Sequence, residues 1–190
     1  MNIATRILQN KPQNQTVFTT IEIKQLCKIT NQIALHSALI YATNRNHLYR
    51  ITRGIYALNQ NYSKEEFANK FRRPSYISLY TVLQQEGIVF QPYTSVYAIA
   101  NRSEAAQINR QKYVYRKIKD EILLNSLGVE NKNGVSKAAP ERALCDKLYL
   151  DGDEYFDNLR NIDWSFISQL NKDVYQNNPS ITKFIKQYSQ

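Results

Sequence analysis

A chain of 190 residues, 43% hydrophobic and 22% charged, has room for two small domains or one domain with an appendage. Its two cysteines, Cys27 and Cys145, lie far apart in apolar helical patterns, with no CxxC and no cluster of histidines near them, so neither a disulfide framework nor a zinc site is supported. No run of eighteen uncharged apolar residues occurs and "MNIATRILQN" lacks a signal-peptide core, so no membrane partner is expected and the chain is placed in a cytoplasm.

The formal net charge of +9 is unevenly spread. Residues 1–60 carry seven basic side chains and one acid, Glu22, a local balance of +6, whereas the remaining 130 residues carry 18 basic and 15 acidic side chains. That is the electrostatic footprint of a polyanion binder. A basic face that only keeps the chain soluble is the bland alternative.

In chain order, "ATRILQNK" reads as a short helix stopped near Pro12. "TVFTTIEIKQLCKI" passes from an extended piece into a helix capped by Thr19 or Thr20, with Glu22 in its first turn and Ile23, Leu26 and Cys27 at i, i+3 and i+4. That helix is expected to end near Thr30. "TNQIALHSALIYATN" follows as a third helix, with Thr30 as its N-cap, Ile33, Leu35, Ala38, Leu39 and Ala42 facing inward, and Asn31, Gln32 and His36 on the polar side. "LYRITRGIYALN" then reads as a β-hairpin whose tip, Thr52-Arg53-Gly54, is small and basic.

Three helices followed by a cationic hairpin is the order of a winged helix-turn-helix. In such an arrangement the third helix enters the major groove and the wing reaches backbone phosphates or the minor groove. The candidate DNA-binding residues are therefore Thr30, Asn31, Gln32 and His36 on or before that helix, and Arg45, Arg50 and Arg53 beside or on the wing. Asn and Gln suit bidentate bonds to adenine, and the arginines suit phosphates. Asn31 and Gln32 as mere caps are the duller reading, and Tyr56 reads as a core residue.

"NQNYSKEEFANKFRRP" reads as a polar bridge. Beyond it, "SYISLYTVLQQEG" predicts a helix from Ser75 ended by Gly87, "YTSVYAIA", "KYVYRKI" and "EILLNSL" predict strands, and Asn133-Gly134 predicts a type I′ hairpin turn. Pro140 opens a helix through "PERALCDKLYL", closed by Asp151-Gly152, and three more helices are expected, through "EYFDNL", around Trp164–Leu170 and from Asn178-Pro179. The expected fold class is α+β: a winged helix-turn-helix over 1–62, then a small α+β domain over 63–190 with an antiparallel sheet and C-terminal helices.

No constellation for catalysis is visible: the five glycines are scattered, GxSxG and HExxH are absent, and both histidines lie in the basic third. Asp120 with Glu130–Lys132 imitates a Mg²⁺-nuclease D…ExK pattern, but that pattern is permissive and "ENKNG" is equally a solvated hairpin end. Single-strand stacking by the 14 tyrosines is weakened by their placement in strands, as at Tyr97, Tyr113 and Tyr115.

Four segments in order, "LYRITRGIYALN", "RRPSYISLYTVLQQEGI", "TSVYAIANR" and "VSKAAPERALCDKLYL", together resemble the AbiEi family of antitoxins, the transcription regulators of type IV toxin–antitoxin systems. The likeness covers about residues 16–160. It departs where family members place a glycine before the wing: this chain has "TNRNH", so Asn44 or Asn46 must make the turn. The resemblance implies a sequence-specific double-stranded DNA-binding repressor that binds inverted repeats in its own promoter; the residues themselves lead to the expectation of no enzyme, no cofactor and no metal. It also implies a C-terminal domain acting against a cognate nucleotidyltransferase toxin. The alternatives are a stand-alone regulator or protein-interaction module with no antitoxin role, and the nuclease.

Overall fold

In the computed structural model, which describes residues 2–189, the chain is mixed α+β. It divides into two units, the first ending at Phe71 and the second beginning at Arg72.

The first unit opens with α1 (Ile3–Asn10), where the Asn2 side chain caps the helix by accepting from Thr5 N at 2.8 Å. After β1 (Val17–Thr19), α2 (Thr20–Leu26) starts in a reciprocal capping box: Thr19 Oγ1 accepts from Glu22 N, and the Glu22 carboxylate accepts from Thr19 N at 2.8 Å. Helix α2 stops short of Thr30, because Lys28 takes a φ of +50° and Ile29 N turns back to Lys24 O. Helix α3 (Gln32–Asn44) is capped by Asn31 rather than Thr30. Strands β2 (Tyr49–Thr52) and β3 (Ile55–Ala57) form the expected hairpin, and β1 joins it in an antiparallel sheet ordered β1-β3-β2.

Leu35, Leu39 and Ala42 recur at i, i+4 and i+7 and turn α3 onto a core with Ile7, Phe18, Ile23, Cys27 and Leu48. Tyr56 is buried as expected. Ile33 is a correction: expected inward, it is 78% exposed. At about 100° per residue it stands some 200° from Leu35, off the buried stripe.

The stretch anticipated as a polar bridge contains a helix, α4 (Lys64–Phe71), that belongs to the first unit. Glu66 on α4 is buried and accepts from Thr16 N (2.9 Å), Thr16 Oγ1 (2.7 Å) and Val17 N (3.1 Å). One turn on, the Lys70 ammonium, with its side chain 4% exposed, pairs with Glu66 and Glu22 at 3.0 Å each and donates to Val17 O. Polar composition hid the helix because its buried residues mix Glu66 and Asn69 with Phe67 and Ala68 and form no clean apolar stripe.

The second unit is built on a six-stranded sheet ordered β6-β7-β5-β4-β9-β8, from β4 (Ser75–Ile77), β5 (Val96–Ala100), β6 (Glu104–Ile108), β7 (Gln111–Lys117), β8 (Val129–Lys132) and β9 (Val135–Ala138). It is mixed, not antiparallel throughout: β4 runs parallel to β9 and β5 parallel to β7. For the second pair the cause is β6, which folds back antiparallel on the outer side of β7 and leaves β5 to pair with β7's other edge. "SYISLY" begins as β4 instead of a helix, and α5 (Tyr80–Gln85) starts only after it. Tyr76, Ile77 and Ser78 are all buried, so this interior strand lacks the alternation that would have marked it. "EILL" forms a helical turn, α6 (Asp120–Leu123), with two acids at its N-terminus, instead of a strand. "EYFDNL" is irregular rather than helical, because Asp157 N and Asn158 N both donate to Ile88 O. The Asn133-Gly134 hairpin, with φ of +54° and +77°, joins β8 to β9 as expected.

Helix α7 (Pro140–Asp151) is the centre of this unit, packed against α5, β9, α8 (Trp164–Asp173) and α9 (Pro179–Tyr188). Its Arg142 and Asp146 are fully buried. Asp146 accepts from Ser78 Oγ (2.7 Å), Tyr175 Oη (2.7 Å) and Tyr76 Oη (3.0 Å), while Arg142 donates to the carbonyls of Leu127 and Ile122 at 2.7 Å each. The guanidinium lies over the rings of Tyr76 and Tyr175.

Removing one partner of a buried ionic network leaves the other desolvated and unpaired. Glu66→Ala is expected to destabilise the first unit by about 3 kcal/mol, and Asp146→Ala the second by about 3–5 kcal/mol. The only tryptophan, Trp164, lies in the second unit. Urea titration should therefore move the tryptophan-fluorescence midpoint for Asp146→Ala, and only the far-UV dichroism for Glu66→Ala.

Candidate nucleic-acid interface

Arg50 and Arg53 of the first unit converge because of how its hairpin is held. Gly54 sits at the tip with a φ of +77°, and its carbonyl accepts from Thr20 N (2.9 Å) and Thr20 Oγ1 (3.2 Å), which fastens the tip to the start of α2. A register shift between Arg50 and Thr52 adds one residue to β2, with Ile51 buried and Arg50 exposed opposite Tyr56. The result is an open cleft of about 440 Å³ between α3 and the hairpin.

Gln32, His36, Arg50 and Arg53 line it, together with Thr20, Leu39, Ile40, Thr43, Asn44, Gly54 and Tyr56, and no carboxylate does so among the described residues. Glu22, the one acid of residues 1–60, is engaged elsewhere. Burial pushes its pKa up, but the Thr19 N–H and the Lys70 ammonium outweigh this and hold it below the usual carboxylate value. The positive charge of the cleft is left uncompensated by that residue.

The other three sequence candidates lie outside the lining. Thr30 is exposed before α3. Asn31 Oδ1 accepts from Ile33 N (2.8 Å) and Ala34 N (3.1 Å), so its carbonyl end is committed to capping. Arg45 ends α3 and stands over the Tyr41 ring at 5.6 Å. The turn after α3 is made by Asn46, at a φ of +55°. Thr20, Ile40, Thr43, Asn44 and Tyr56 were not anticipated in the lining. Gln32, His36, Ile40 and Thr43 recur at i, i+4, i+8 and i+11, and extending the Gln32–His36 spacing along the helix would have found two of them.

No family model and no curated protein matches the chain. Among the described residues no helix is long and apolar enough to cross a membrane, and no group of three or more His, Cys, Asp or Glu side chains is placed to hold a metal ion.

Because Asn31 caps α3, its replacement reports on folding before it reports on recognition. Asn31→Ala is expected to cost about 1 kcal/mol and Asn31→Asp to recover most of it. A thermal melt of the two variants checks this.

Proposed function

We propose that the first unit is a winged helix that binds double-stranded DNA, and that the protein is a cytoplasmic transcriptional repressor of its own promoter. The observation that carries this reading is the convergence of Gln32, His36, Arg50 and Arg53 on one cleft free of carboxylates. In this reading α3 enters the major groove and presents Gln32 and His36 to base edges. Arg53, at the hairpin tip, and Arg50 meet phosphates on the flank, and Arg45 meets the backbone at the far end of α3. Asn31 contributes by capping α3, and Thr30 by its exposed place before the cap.

The role of antitoxin component in an AbiEi-like operon, facing a nucleotidyltransferase toxin, rests on the four resembling segments and belongs to the second unit. No enzymatic activity is part of the proposal. Co-expression with the product of an adjacent nucleotidyltransferase gene, scored as rescue of growth, tests that half separately.

Fluorescence-anisotropy titration with the promoter duplex and a scrambled duplex, at two salt concentrations, tests the DNA half. Tighter promoter binding at both salts is expected. Arg50→Ala and Arg53→Ala should each weaken both duplexes alike and lower the log–log salt slope by about one. Gln32→Ala should narrow the gap between the duplexes. Unchanged affinity and salt slope in both arginine variants would remove the hairpin from the interface.

A further inference from the structure

Three large apolar side chains of α3 stand in solvent, Ile33 at 78% exposure, Tyr41 at 56% and Ile40 at 48%; the Tyr41 ring is covered by the Arg45 guanidinium, which leaves the two isoleucines. These two are seven residues apart, which on a helix of 3.6 residues per turn puts them within about 20° of one face. Ile40 lines the cationic cleft beside His36 and Arg50. An exposed apolar pair on one face of a helix calls for an apolar contact.

The charge around it selects the occupant. A second copy docking through this face would be self-complementary and would bring the Arg50 and Arg53 of both copies into one interface, with no carboxylate in the cleft lining to relieve them. A polyanion relieves them. The apolar group that a DNA duplex offers in a groove wide enough for a helix is the C5-methyl of thymine. Resting on the DNA-binding reading above, we infer that Ile33 and Ile40 are specificity-determining residues that read thymine methyl groups. Their separation along the helix, about 10 Å at 1.5 Å per residue, corresponds to about three base pairs at 3.4 Å each. The recognised site therefore carries two thymines about three base pairs apart, on either strand.

The test replaces thymidine by deoxyuridine in the promoter duplex, which deletes the methyl and keeps every Watson–Crick bond. The full-length protein is titrated by anisotropy with the thymidine, deoxyuridine and scrambled duplexes at one salt concentration. One methyl removed from water is worth about 0.8 kcal/mol, so wild type should bind about fourfold less tightly for each methyl lost, and more than tenfold when all thymidines are replaced. Ile33→Ala and Ile40→Ala should each weaken the thymidine complex and shrink the thymidine-to-deoxyuridine ratio. Arg53→Ala should weaken both complexes and leave the ratio intact. Single replacements along the duplex should localise the loss to two positions.

Equal binding of thymidine and deoxyuridine duplexes, with both still preferred over the scrambled one, would overturn methyl readout and leave the repressor reading standing. No preference for the promoter, or no binding at low salt, would remove both. A dimer in sedimentation equilibrium that Ile33→Ala or Ile40→Ala dissociates, with equal binding of the two duplexes, would overturn the inference and assign the face to a second copy.

Discussion

The ammonium of Lys70, enclosed between the carboxylates of Glu22 and Glu66, holds the first unit in register. Glu66 takes up the backbone of Thr16 and Val17 at the start of β1, and β1 aligns β3, which carries β2 and Arg50. Glu22, on the other side of the same ammonium, closes the capping box of α2, and the next residue after the cap, Thr20, grips the carbonyl of Gly54 at the hairpin tip. Both routes from Lys70 end at a wall of the cationic cleft. Buried ion pairs contribute little net stability once desolvation is counted, but they tolerate few alternative geometries. Here that intolerance sets where two arginines stand.

The second unit uses the same device with a different donor. Arg142 and Asp146 lie on one face of α7 and gather Tyr76 and Ser78 from β4 with its following residue, Tyr175 from beyond α8, and carbonyls from α6 and the turn before β8. A planar guanidinium can serve several carbonyls and two aromatic faces at once, which a lysine could not. Gly128 has to be glycine in this setting: at a φ of +73°, an added Cβ would stand 3.0 Å from Arg142 Cβ.

Much of the fold was readable where local chemistry and tertiary fate coincide. Pro140, Asn178-Pro179, the Thr19/Glu22 pair and Asn133-Gly134 mark boundaries through their own backbone preferences, and the structure has them there. Elements defined by distant partners were not readable. Helix α4 looks like a linker until Thr16 and Val17 are placed against it, β4 looks helical until strands flank it on both sides, and β6 has neither β-branched nor aromatic residues before its last position. Within the cleft, Gln32, His36 and the two hairpin arginines were legible from type and order. The outward turn of Ile33 and Ile40 was not, since a helix that is apolar on most sides has no phase until its core is known.

The division after Phe71 also bears on the order in which the parts of the chain become ordered. Every partner of α3 and the hairpin in the first core lies within the first unit, so that unit is complete once its own residues have left the ribosome. The larger sheet has no such independence: Ile77 on β4 waits for Lys137 on β9, and Tyr76 waits for Asp146 and Arg142. Pairings of such sequence separation are slow to form. A nascent chain would thus carry a finished cationic cleft while the rest of the protein is still being assembled.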